Sequence, residues 1–173
     1  MGKFWLVFVS LFFGTLLQCS IFPMIPVIQT IPNILLGLSA VFGIMYGKRT
    51  GMFSGVAAGI LLDIFSGTII GYNAFVLCLI GYVSGSFNDV FFPENYRLPL
   101  VALSASDLLY GFFTYFFFFF TQGDYKIVYY FFRIMLPELV FTVIVMVFVY
   151  LLLLHLDEKI QHRRNREGNR RIV

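Results

Sequence analysis

A chain of 173 residues that is 60% hydrophobic and only 12% charged, with a formal net charge of +3 and a mean hydropathy of +0.88, lies outside the range of a water-soluble domain. At about 20 residues per span, the length holds one compact bundle of membrane helices and leaves no room for a soluble catalytic domain. The expected fold class is an all-α polytopic membrane protein with a single transmembrane helical domain over residues 1–156 and a basic tail over 157–173.

Apolar runs and their breakers predict six spans. The first, Phe4 to Phe22, follows Lys3 like a secretory signal, but no small-x-small cleavage pattern ends it, so it reads as a retained helix. Cys19 is preceded by Gln18, which is too large for lipoprotein processing, and Cys19 and Cys78 both read as small packing residues. Pro23, Pro26 and Pro32 separate the first span from the second, Ile31 to Gly47, and Lys48-Arg49-Thr50 reads as a polar turn. The third span, Gly51 to Ser66, is about 24 Å long if fully helical, which leaves open a shallow or re-entrant element. Ser66-Gly67-Thr68 is a second turn, followed by Ile69 to Phe87, a polar loop from Asn88 to Arg97, Leu98 to Thr121, a short loop from Gln122 to Lys126, and Phe131 to His155.

Six spans place Lys3, Lys48, Arg49, Arg97 and the tail residues Lys159, Arg163, Arg164, Arg166, Arg170 and Arg171 on one side, ten basic residues against Lys126 and Arg133 on the other. Because Lys and Arg mark cytoplasmic segments, both termini are expected in the cytoplasm. The tail cluster is expected to contact anionic lipid, and it carries no signal for nucleic acid.

Between Gly43 and Gly71 every fourth residue is glycine or Asp63: Gly43, Gly47, Gly51, Gly55, Gly59, Asp63, Gly67, Gly71. In lipid, glycines at this spacing bare one side of a helix and let another backbone approach, so the stripe reads as packing surface rather than loop punctuation. An acid at the end of such a strip faces protein or trapped water. Two readings of Asp63 stand: a contact to a partner helix, or a polar staple within the chain. Asn73, Asn33 and Gln29 are membrane-level amides able to bridge helices. Asp107 falls near mid-membrane beside Ser104 and Ser106, where a structural hydrogen bond is preferred over a proton or cation path. Arg133 and Glu138 flank Pro137 at a poor helical pairing interval, so each is expected to find another partner; for Arg133, snorkelling to the outer interface is preferred over a pair with Asp63.

The stretch from Pro32 to Gly85 resembles the signature of the MreD family, the rod shape-determining membrane proteins of bacteria. The matching features are Pro32-Asn33, the basic pair Lys48-Arg49, Gly51, Gly55 and Gly59 with Leu61-Leu62-Asp63, then Gly71-Tyr72-Asn73-Ala74 and Gly81-Tyr82-Val83-Ser84-Gly85. The family often has Asp where Asn33 stands. The resemblance implies a non-catalytic scaffold of the bacterial cell-elongation machinery in the cytoplasmic membrane. It would work beside an MreC-type bitopic protein, an MreB-type filament, and the glycosyltransferase and transpeptidase that build lateral wall. It also implies a fold similar to the substrate-binding components of energy-coupling-factor transporters, which does not carry function. Gly51, Gly55, Gly59, Asp63, Gly71, Asn73, Gly81 and Gly85 are the expected partner or helix-packing surface, and a homo-oligomer stays open.

A vitamin-type transporter subunit is the alternative, disfavoured by the lack of a dense polar cluster in the sequence. No Ser/His/Asp set, metal-ligand spacing, phosphate-binding glycine loop or carboxylate cluster is present, so neither catalysis, a cofactor nor a metal is expected.

Overall fold

The structure, a computed structural model, describes residues 2–24, 31–67, 69–90, 97–120 and 131–170. Among these residues it is all helix: α1 (Gly2–Leu16), α2 (Ile34–Tyr46), α3 (Lys48–Ser66), α4 (Tyr72–Gly85), α5 (Arg97–Thr114) and α6 (Leu136–Arg170). Wider π-type turns extend α1 over Leu17–Ile21 and α5 over Tyr115–Phe120, and another, Phe131–Met135, leads into α6. The apolar stretches Phe4–Met24, Pro99–Phe117 and Phe131–Leu156 are long enough to cross a membrane, whereas α2 and α4 are shorter apolar helices. Gln29, Lys126 and Arg171 lie outside the described residues.

Helix α2 is apolar on every side, and that composition places it in the middle of the bundle. Every residue from Ile34 to Ile44 is buried, and α2 packs against all five other helices. Its neighbours shield it from lipid, so its short length needs no hydrophobic match of its own.

Successive helices alternate in direction. Lys48 at the start of α3 meets Gly85 at the end of α4, while Asp63 at the end of α3 meets Asn73 at the start of α4. Ser84 with Ser106 and Asn73 with Tyr110 set α5 antiparallel to α4. Asn33 with Thr142 and Gly37 with Met146 set α6 parallel to α2. The start of α1 and the far end of α6 therefore share the end of the bundle that carries Lys48 and Arg49, opposite Asp63.

The third span differs from its expected form. Gly47 alone makes the reversal from α2, with φ +91°, a backbone region that side chains disfavour. Lys48, Arg49 and Thr50 are thereby released to form the first turn of α3 rather than a separate turn, closed by the Gly51 N–H on the Gly47 carbonyl at 3.0 Å. The helix has 19 residues, about 28 Å, close to the thickness of a bilayer core.

The glycine register divides by role. A Cβ on Gly55 would stand 2.6 Å from the Leu77 carbonyl carbon, one on Gly59 2.5 Å from that of Asn73, and one on Gly43 2.5 Å from the Gly81 carbonyl oxygen. A Cβ on Gly51 would lie 2.6 Å from Gly43 Cα, one on Gly81 2.6 Å from the Gly51 carbonyl carbon, and one on Gly85 2.5 Å from Lys48 Cα. These six glycines let the backbones of α2, α3 and α4 touch. Gly47, Gly67 and Gly71 instead have positive φ and sit at helix boundaries, so three of the seven are turn residues after all. Gly71 in particular is no packing surface: a Cβ there would meet nothing within 4 Å.

Candidate functional site

Among the described residues, the buried Gln18, Asn33, Asp63 and Asn73 gather at the Asp63 end, and the cause is local. Helices α2 and α4 both begin there, inside the bundle, with backbone N–H groups that have no intrahelical acceptor.

At α4 the natural capping position is Gly71, which has no side chain. Asp63, 1% exposed in the last turn of α3, supplies the cap from another helix. Its Oδ2 accepts from the N–H groups of Gly71 (2.8 Å) and Ala74 (3.4 Å), and its Oδ1 from the Asn73 N–H (3.1 Å) and the Asn73 side-chain amide (2.9 Å). Two donors on each oxygen fill the lone pairs of a carboxylate, and its charge opposes the positive end of the helix dipole. Asn73 passes the network on, because its Oδ1 accepts from the Tyr110 hydroxyl of α5 at 2.8 Å.

At α2 the cap is Asn33, whose Oδ1 accepts from the Leu36 N–H at 3.4 Å. Gln18, in the π-type turn after α1, accepts from the Leu35 N–H at 2.9 Å and donates to Asn33 Oδ1 at 3.3 Å. The Asn33 N–H donates to the Thr142 hydroxyl of α6 at 3.0 Å. All six helices thus meet through two capping networks, α3, α4 and α5 in one and the extended α1, α2 and α6 in the other.

Between the networks lies a cavity of about 350 Å³ lined by Gln18, Asn33, Ser66, Asn73, Tyr110 and Glu138. Glu138 stands within Coulombic range of Asp107 on α5. Asp107 is 5% exposed, and its Oδ1 has no hydrogen-bond partner among the described residues. The serines expected beside it bond elsewhere: Ser104 donates to the Leu100 carbonyl of its own helix, and Ser106 lies 3.4 Å from the Ser84 hydroxyl.

Of the expected site residues, the structure joins Asp63, Gly71 and Asn73 in one hydrogen-bonded unit. It turns Gly51, Gly55 and Gly59 of α3 onto the backbone of α4, and Gly81 and Gly85 of α4 onto that of α3, so α4 already occupies the strip a partner helix would need. Of the two readings of Asp63, this geometry is that of the intrachain staple. Arg133 is exposed on the turn into α6, away from Asp107 in sequence, and Lys159 is exposed near the other end of that helix. Arg163, Arg164, Arg166 and Arg170 follow on the same helix, which continues beyond the expected domain limit at 156 to Arg170. Gln18, Tyr110 and Thr142 were not expected in the site. Only Gln18 left a signal, as an amide inside a long apolar run.

No curated protein and no solved structure matches the chain. The family model for the rod shape-determining protein MreD matches residues 2–159, nearly the whole described bundle including both capping networks and the glycine contacts. With its all-helical form and membrane-length apolar helices, the chain belongs to the MreD family of membrane proteins, whose role is rod shape determination.

Proposed function

We propose that the chain is a non-catalytic scaffold of the bacterial cell-elongation machinery, lying in the cytoplasmic membrane with six spans and both termini inside. In this role it supports lateral peptidoglycan synthesis by holding the transmembrane helix of an MreC-type protein and, with it, an MreB-type filament and the wall-building glycosyltransferase and transpeptidase. The family match over residues 2–159 is the observation that carries the reading.

The bundle's geometry moves the expected contact surface. With the glycine strip closed by α4, a partner helix meets the outward faces, where Phe12 on α1, Phe112 on α5 and Phe148 on α6 are all more than half exposed. Photo-crosslinkers at these three positions in living rod-shaped cells are expected to trap a bitopic membrane protein from at least one face, and depletion is expected to round the cells. Normal rods after depletion would overturn the proposal.

The cavity at the Asp63 end favours a second reading, a small-molecule-binding subunit of transporter type. The polar cluster that the linear sequence did not display is assembled there from separate helices. Native mass spectrometry of gently extracted protein separates the two: a bound small molecule lost in Glu138→Leu supports this second reading, and bare protein opposes it.

A further inference from the structure

A second concavity lies at the opposite end of the bundle, between the first halves of α1 and α3. It is a groove of about 600 Å³, within the roughly 300–1,000 Å³ typical of small-ligand sites. Its walls are apolar, formed by Phe8 and Leu11 of α1 and Phe53 and Ala57 of α3, while Arg49 and Thr50 stand over it from the first turn of α3. Arg49 is exposed, as is Lys48 beside it. The Thr50 hydroxyl donates to the Tyr46 carbonyl at 3.3 Å, which leaves its oxygen lone pairs and fixes its orientation.

This combination selects among occupants. A water-soluble anion would use the guanidinium but gain nothing from an apolar trough. An apolar partner helix, about 10 Å across, would use the trough but offer the guanidinium no acceptor. An anionic phospholipid uses both: its phosphate matches the planar donor fork of arginine, and its acyl chain matches the phenylalanine and leucine walls. The charge also sits at the correct depth, since Lys48 and Arg49 open a helix of about bilayer thickness and so lie at headgroup level.

We propose that the groove between α1 and α3 binds one anionic phospholipid, with its acyl chain against Phe8, Leu11, Phe53 and Ala57 and its phosphate on Arg49. The site is separate from the basic tail and from the cavity at the Asp63 end, and it does not depend on the scaffold reading.

The single tryptophan of the chain is a built-in reporter. Trp5 lies on α1 edge-on to Phe8, with ring centroids 6.2 Å apart, so a brominated acyl chain in the groove quenches it. The full chain is reconstituted in phosphatidylcholine vesicles containing equal mole fractions of either dibrominated phosphatidylglycerol or dibrominated phosphatidylcholine. The glycerol lipid is expected to quench Trp5 more deeply. Arg49→Gln is expected to weaken that preference about five-fold, the equivalent of the roughly 1 kcal/mol a basic residue contributes at an anionic surface. Arg49→Lys retains most of the preference, and Ala57→Phe, which fills the groove from an exposed position, abolishes it. Joint replacement of Arg163, Arg164 and Arg166 by Gln leaves it intact. Equal quenching by both lipids would overturn the proposal, as would a preference that survives Arg49→Gln and Ala57→Phe but vanishes with the tail arginines. Quenching that follows protein-to-lipid ratio instead of headgroup would point to a second copy of the chain in the groove and also overturn it. Unchanged helical circular dichroism in each variant keeps misfolding from imitating a result.

Discussion

The Asp63 carboxylate takes both N–H groups that Asn73 offers, backbone and side chain, at 3.1 and 2.9 Å, and so holds the start of α4 to the end of α3. The cost of an acid inside the bundle is offset because all of its acceptor capacity meets donors that would otherwise be unsatisfied in a water-poor setting.

Asp63→Leu is therefore expected to destabilise the bundle by at least about 3 kcal/mol, since it removes charge-assisted bonds and orphans the first N–H groups of α4. Asp63→Asn keeps one acceptor oxygen but turns an amide NH₂ toward N–H donors, so it should fall between Leu and the native residue. Thermal unfolding of the full chain in mild detergent, followed by size-exclusion chromatography, gives the order. Equal stability of the native chain and Asp63→Leu would show that the acid does not hold the fold, and would return it to a partner contact.

The glycine contacts predict a sharp difference between positions. At Gly59 a methyl group meets the backbone of Asn73 and Ala74, which cannot yield without parting α3 from α4. At Gly14 the nearest atom to an added Cβ is the Leu38 Cδ1, 2.7 Å away at the flexible end of a side chain. Gly59→Ala is expected to cost about 1–3 kcal/mol and Gly14→Ala well under half of that. Yield of monodisperse protein after extraction measures this directly. If Gly59→Ala extracts normally yet loses a membrane partner, the strip faces outward and the intrachain assignment is wrong.

Much of this architecture was legible from residue spacing, because a bare strip ending in an acid has few other uses inside a membrane. The Pro32-Asn33 start of α2 and the Gly71-Tyr72-Asn73-Ala74 start of α4 were also in view, though not their shared role as buried helix ends. Spacing alone could not separate Gly47, Gly67 and Gly71 from the packing glycines, since a period of four holds equally within a helix and across its boundary. Lys48, Arg49 and Thr50 read as a turn for their polarity, yet a helix whose first turn sits at headgroup level is polar for the same reason. The partners of Gln18, Tyr110 and Thr142 were out of reach: they lie 15, 37 and 109 residues away along the chain and become neighbours only through the order of the helices.

Gln18 should then matter more than its place in an apolar run suggests. Gln18→Leu removes the side-chain acceptor for the Leu35 N–H and the donor to Asn33, two buried bonds at the first turn of α2. The expected loss is about 1–2 kcal/mol, given that a single hydrogen bond within a membrane protein averages roughly 0.6 kcal/mol. Gln18→Glu restores the acceptor but not the donor and should recover only part of it. A melting temperature unchanged in Gln18→Leu would mean that Asn33 alone suffices as the cap.

Asp107 offers the opposite case, an interior acid whose Oδ1 meets no donor among the described residues. A group that gives the fold so little should be replaceable. Asp107→Asn is expected to leave stability within about 0.5 kcal/mol of the native chain or to raise it, because it keeps the shape and removes an ionisable group from a buried position. The decisive comparison pairs melting temperature with cell shape: a variant that folds as well as the native chain but fails to restore rods would locate the acid's importance in function. A variant that simply fails to fold would show that Asp107 has a structural partner after all.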